Sequence, residues 1–161
     1  MAITLEQLLE SRDARAARQA ELLKAHPGQS LLCLTVIMPG PEKRSPRSLR
    51  IAAAAVAAVR EVFSPDFEQL RDLETGYEGY FLLSQSMEDA KRGAVQLEDT
   101  HPLGRLFDLD VIGPDGPLSR SFIGAPERRC LLCDRPAREC MRSRAHTTAD
   151  LLAAIDALLG A

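Results

Sequence analysis

A chain of 161 residues with 45% hydrophobic content can bury one substantial core, so a single domain over residues 1–161 is expected. The formal net charge of −3 leaves no global basic field and argues against a general nucleic-acid binder. The apolar runs at 31–38 and 51–59 are far too short to span a membrane, and the first residues lack a secretory signal, so no membrane partner and a cytoplasmic location are expected.

Thr4 caps a first helix that reaches about His26, where His26-Pro27-Gly28 stops it. Leu5, Leu9, Ala16 and Leu23 recur near multiples of the helical turn and mark its inner stripe. Arg12 follows Leu5 by seven residues, about 20° off the same line. A guanidinium there either snorkels at the stripe's edge or reaches a cleft, and the cluster Ser11-Arg12-Asp13 favours the cleft. Arg15 and Arg18 lie farther round and read as a solvated face.

The nearly continuous apolar run 31–38 reads as a buried strand ended by Pro39-Gly40-Pro41. Ser45-Pro46 opens an alanine-rich helix to about Phe63. Segments 67–75 and 77–84 read as a hairpin around Gly76, and Ser86 with Asp89 resembles a capping box for a helix to about Glu98.

The run His101-Pro102-Leu103-Gly104-Arg105-Leu106-Phe107-Asp108-Leu109-Asp110-Val111 is a loop leading into a strand. With a side-chain period of two, Asp108 and Asp110 share one face and Phe107, Leu109 and Val111 the other. Two carboxylates so placed either hold Mg²⁺ against a polyphosphate or are a solvated edge. His101 lies close enough to Gly104 and Arg105 to line the same pocket. After the turn signal Pro114-Asp115-Gly116, a return strand is expected near 118–122.

Cys130, Cys133, Cys140 and His146 gather four soft ligands in seventeen residues. The Cys-x-x-Cys pair suits a structural Zn²⁺ site, although the six-residue gap before Cys140 is unusual. Buried thiols are the alternative, and redox catalysis lacks the preceding strand it needs. Arginines 128, 129, 135, 138, 142 and 144 make this segment a cationic patch suited to a small anion or an acidic partner. Thr147 or Thr148 caps a last helix with Leu151, Leu152, Ile155, Leu158 and Leu159 on one face. Helices interleaved with strands and a hairpin predict an α+β domain, its mixed or antiparallel sheet carrying helices.

Segments 8–19, 101–111 and 128–133, with the Cys140 and His146 spacing, together resemble the citrate lyase holo-acyl-carrier-protein synthases, also called apo-citrate lyase phosphoribosyl-dephospho-CoA transferases. The resemblance implies an enzyme that attaches a prosthetic group to a serine of the acyl-carrier subunit of citrate lyase. The donor it implies is 2′-(5″-triphosphoribosyl)-3′-dephospho-CoA, with diphosphate leaving. Asp108 and Asp110 would then hold Mg²⁺, Gly104 would let backbone approach the phosphates, and Arg12 and Arg105 would offset their charge. The Asp-x-Asp pair also looks like that of polymerase-β-type nucleotidyltransferases. The expected return strand carries no third carboxylate, which leaves Glu68, Asp72 or Glu74 to supply one. The competing reading is a non-catalytic, zinc-stabilised binding module that docks an acidic partner, with Asp108 and Asp110 exposed and dispensable.

Overall fold

Hydroxyl side chains start the four long helices by accepting backbone N–H groups left without helical partners. The computed structural model describes residues 1–160 and places α1 at Leu5–Ala25 behind Thr4, α2 at Pro46–Phe63 behind Ser45 and α3 at Met87–Thr100 behind Ser86. A short α4, Ala137–Ser143, has no side-chain cap, and Thr147 caps α5, Thr148–Leu159. Thr4 with Gln7 and Ser45 with Ser48 form reciprocal capping boxes. At Ser86 only the hydroxyl arm forms, accepting from the Asp89 N–H.

Strands β1 (Ser30–Val36), β2 (Phe67–Leu73), β3 (Gly76–Leu83), β4 (Phe107–Gly113) and β5 (Gly116–Pro117) build one sheet in the order β2-β3-β1-β4-β5. Every pairing is antiparallel, which decides between the two sheet types expected. Glu74 and Thr75 form the tight turn between β2 and β3, and Gly76 takes the positive φ of 127° that closes it.

One face of the sheet is apolar. Leu32 and Leu34 of β1, Phe81 and Leu83 of β3, and Phe107, Leu109 and Val111 of β4 pack under α2 and α3, with Ile155 of α5 joining the cluster. Burying each such side chain contributes about 1.5–3 kcal/mol, so this face supplies most of the cohesion. The opposite face is apolar only at one end, where Leu22 of α1 meets Leu31, Cys33, Tyr80, Leu82 and Ile112. Towards the other end it carries Thr35, Glu78, Asp108 and Asp110.

That polar face overturns the expected orientation of α1. Leu5 and Leu9 are 71% and 47% exposed, and the inward line runs through Leu8, Ser11, Arg15 and Leu22. Arg12 is exposed, whereas Arg15 and Arg18 face the sheet, bonded to Glu78 and Gln69. A stripe chosen by hydrophobicity misses them because this helix lies on a surface that needs hydrogen-bond donors.

Two other elements depart from expectation. β1 ends at Val36: the Ile37 N–H still donates to the Leu106 carbonyl, but Leu106 belongs to the 3₁₀ turn Gly104–Leu106, and the Met38 carbonyl accepts from Lys43. The return strand is only Gly116–Pro117; the chain then turns through a 3₁₀ segment at Arg120–Ile123, where Arg120 is bound to Glu98 and Asp99.

Candidate functional site

Antiparallel register lines up the polar residues in two rows across the sheet. Thr35 stands opposite both Glu78 and Asp108, and Cys33 stands opposite both Tyr80 and Asp110. Directly opposed residues share a face, so Asp108, Asp110 and Glu78 all stand on the sheet face that carries α1. The Thr35 hydroxyl lies 3.4 Å from Asp108 Oδ2. Glu78 is buried and fully engaged, accepting from the Tyr80 hydroxyl at 2.8 Å and from Arg15 Nη1 at 3.1 Å.

Asp108 and Asp110 are half-buried, which is not the exposed pair of the binding-module reading. Burial, and then the Asp108 charge, hold the Asp110 carboxyl up at about 6. Burial pushes the Cys33 thiol up to about 12, so it is a neutral part of the floor. The expected third carboxylates do not join Asp108 and Asp110: Glu68 and Asp72 lie on the opposite face, paired with Arg60 and Arg44, and Glu74 is exposed in the hairpin turn. Glu78 is the third acid of this face.

Asp108 borders two cavities. A polar cleft of about 180 Å³ is lined by Arg12, Arg15, Thr35, Lys43, Tyr77 and Asp108, among others. A larger groove of about 490 Å³ adjoins it and also includes Asp108 and Lys43, with Arg105 on its border. Exposed Arg12 therefore still reaches the polar cleft, although not by breaking an apolar stripe. Lys43 was not singled out by the sequence; burial and Arg12 lower its pKa, and its Nζ donates to the Met38 carbonyl at 2.7 Å.

Gly104 and His101 line neither cavity. A Cβ on Gly104 would come within 2.3 Å of the Leu97 carbonyl oxygen and 2.5 Å of that of Glu98, so glycine lets this turn pack on the end of α3. His101 Nδ1 accepts from the Leu103 N–H, and its ring lies 4.8 Å from that of Phe107. Both shape the entry to β4.

Glu98, unread in the sequence, anchors that entry. Its buried carboxylate accepts from the Leu109 N–H at 2.9 Å, Arg120 at 2.9 Å and Arg128 at 3.2 Å, tying α3 to β4 and to the two following loops. A signal existed: acids in the last turn of a helix oppose its dipole and need cationic partners.

The four soft residues also come together. The ligand atoms of Cys130, Cys133, Cys140 and His146 all lie within 4.8 Å of one another, and the Cys133 and Cys140 sulfurs are 3.4 Å apart. Tetrahedral zinc with bonds near 2.3 Å would set its sulfurs about 3.8 Å apart, so the Cys133–Cys140 pair would open slightly while separations towards 4.8 Å close. The buried His146 Nε2 has no hydrogen-bond partner. Hydrogen bonding to Arg135, backbone first and then side chain, and to His146 draws the Cys133 thiol down to about 6. Burial and bonds to the neighbouring thiols raise Cys140 to about 11. This group could hold a metal ion such as zinc.

Comparison with known proteins covers nearly the whole chain. Residues 3–161 match the family model described as apo-citrate lyase phosphoribosyl-dephospho-CoA transferase. A protein from Streptococcus pyogenes serotype M18, named as a probable apo-citrate lyase phosphoribosyl-dephospho-CoA transferase, is 41% identical over 98% of this chain and 86% of its own length. Relatives bearing that name without the qualifier, from Escherichia coli O1:K1 and Shigella boydii serotype 18, are each 40% identical over 98% of this chain and 89% of their own. Among the described residues, no helix is long and apolar enough to cross a membrane.

Proposed function

This chain belongs to the apo-citrate lyase phosphoribosyl-dephospho-CoA transferase family, and on that premise we propose that it modifies the acyl-carrier subunit of citrate lyase by a nucleotidyltransferase-type displacement. The donor in this reading is 2′-(5″-triphosphoribosyl)-3′-dephospho-CoA. The observation that carries it is Asp108, set beside Asp110 on one strand face and bordering both the polar cleft and the larger groove.

A carrier serine oxygen bonds to the phosphorus nearest the ribose, its proton is released, and the bond from that phosphorus to the bridging oxygen breaks as diphosphate departs. Such displacements depend on positioning and charge stabilisation more than on covalent help from the protein. Asp108 and Asp110 are the residues that would hold Mg²⁺, which supplies charge neutralisation on the phosphate chain. Arg12 and Lys43 present cations to the polar cleft, and Arg105 presents one to the groove. Arg15 stays bound to Glu78 and keeps α1 seated over the acids. No member of the Cys₃His cluster lines the polar cleft, whereas Cys130, Cys140 and His146 border the larger groove; zinc held there orders the groove's wall in this reading.

The test is the intact mass of apo carrier subunit incubated with protein, donor and Mg²⁺. A gain equal to the phosphoribosyl-dephospho-CoA group, with one diphosphate released per carrier, is expected. An unmodified carrier under saturating donor overturns the assignment.

A further inference from the structure

The groove beside Asp108 differs in chemistry from the polar cleft. At about 490 Å³ it lies in the range of small-molecule sites. Val36, Met38 and Ile155 of the main body and Leu131 and Met141 of the Cys-rich segment line it, together with three of the four soft ligands of the Cys₃His cluster. Three arginines, Arg105, Arg128 and Arg129, line the same cavity. Arg128 is committed to Glu98 and to the Gly104 carbonyl. Arg105 and Arg129 bond only to backbone carbonyls, of Arg129 and Asp134 respectively, and neither meets a carboxylate among the described residues.

We propose that this groove holds the nucleoside and pantetheine body of the donor, while the polar cleft takes its phosphate chain. The inference rests on the transferase reading and divides the donor between two subsites. Asp108 and Lys43 border both cavities, so a ligand lying across the two sets the junction between its phosphate chain and its body at these residues. The body is long and, apart from one internal diphosphate, uncharged, with methyl and methylene groups between the two amides of its arm and a flat base at its other end. The apolar walls match the arm and the base, and two arginines without acidic partners match the diphosphate. Met141 is 79% exposed at the border, and an unbranched thioether can fold over a bound arm.

The probe is 3′-dephospho-CoA, which lacks the triphosphoribosyl group, titrated calorimetrically into the full chain without carrier. Binding is expected, and tripolyphosphate should not compete with it. Leu131→Trp fills the groove and Met141→Glu repels the diphosphate; each should weaken binding at least tenfold with an unchanged circular dichroism melt. Because Met141 is exposed, its variant keeps the test valid if Leu131→Trp fails to fold. Unchanged affinity in the folded variants, or displacement by tripolyphosphate, overturns the proposal. So does a raised KM for carrier with an unchanged KM for donor, which would make the groove a carrier contact. Groove binding as expected with a carrier that never gains mass would instead sink the transferase reading and leave the groove assignment standing.

Discussion

Arg15 Nη1 lies 3.1 Å from Glu78 Oε2, joining the middle of α1 to the centre of the sheet through a carboxylate that is only 4% exposed. The Tyr80 hydroxyl holds the other oxygen of the same carboxylate. This contact sets the height of α1 above the row Glu78–Thr35–Asp108, and thereby the depth of the polar cleft. A buried charge needs its partner more than it rewards the fold for having one.

Arg15→Ala should therefore destabilise the protein by about 2–4 kcal/mol, read from urea denaturation, because Glu78 is left charged and half satisfied. Glu78→Gln in the same chain should recover much of that loss. Equal destabilisation in the single and double variants would show that Arg15 contributes through packing of its stem and not through the pair.

Asp110→Asn should abolish most transfer while stabilising the fold at neutral pH. An acid whose pKa is raised in the fold, here from 3.8 to about 6, holds its proton longer folded than unfolded. Its contribution is most favourable below the unfolded value and is lost as pH rises towards 6. The asparagine variant should thus gain on the wild type between about pH 4 and 6, by up to about 3 kcal/mol. Magnesium should raise the wild-type Tm at pH 7.5 and leave that of the variant unchanged. Transfer in Asp108→Asn or Asp110→Asn within tenfold of wild type would overturn the proposed Mg²⁺ role of both, since losing such stabilisation costs about 10²–10³ in rate.

Much of this site was readable from spacing. The Asp108-Leu109-Asp110 alternation placed two acids on one strand face, and hydroxyls before α1, α2 and α3 located their starts. The inner face of α1 was not readable, because it depends on what the facing sheet carries. Thr35, Glu78, Asp108 and Asp110 come from three strands, and only the β3-β1-β4 pairing puts them together. Glu98 was hidden similarly: its partners Arg120 and Arg128 lie 22 and 30 residues away, on segments without regular pattern.

Arg12→Lys and Arg105→Lys should leave stability within about 0.5 kcal/mol of wild type, because neither arginine has a carboxylate partner among the described residues. Both should raise the KM for donor several-fold, since lysine lacks the planar fork that matches phosphate oxygens. Steady-state kinetics at saturating carrier provide the check. Unchanged KM in both variants would take them out of the donor site.

Glu98→Gln should loosen the entry to β4. The uncharged amide keeps an acceptor for the Leu109 N–H but loses the charge that Arg120 and Arg128 share. Loss of a buried, doubly paired carboxylate is expected to cost about 3 kcal/mol. Proteolysis should then begin in residues 114–136, whose loops those arginines anchor. Wild-type cleavage kinetics there would mean that the arginines hold the loops without the charge.

Protein purified without chelators should carry one equivalent of zinc, lost together in Cys133→Ser and Cys140→Ser. The motivation is geometric: three sulfurs and one imidazole nitrogen lie within 4.8 Å, and the buried His146 Nε2 otherwise has no partner. The segment from Arg128 to His146 contributes only Cys130 and Cys140 to the buried hydrophobic set, so little besides a metal would order it. Structural zinc can supply about 10 kcal/mol or more to such a module. Removing it should lower Tm and weaken 3′-dephospho-CoA binding, because Leu131 and Met141 of that segment line the groove. The magnesium-dependent rise in Tm should survive zinc removal, as Asp108 and Asp110 lie on β4 and not on that segment. Less than a tenth of an equivalent of zinc, with Cys133→Ser melting like the wild type, would show instead that the thiols are merely packed.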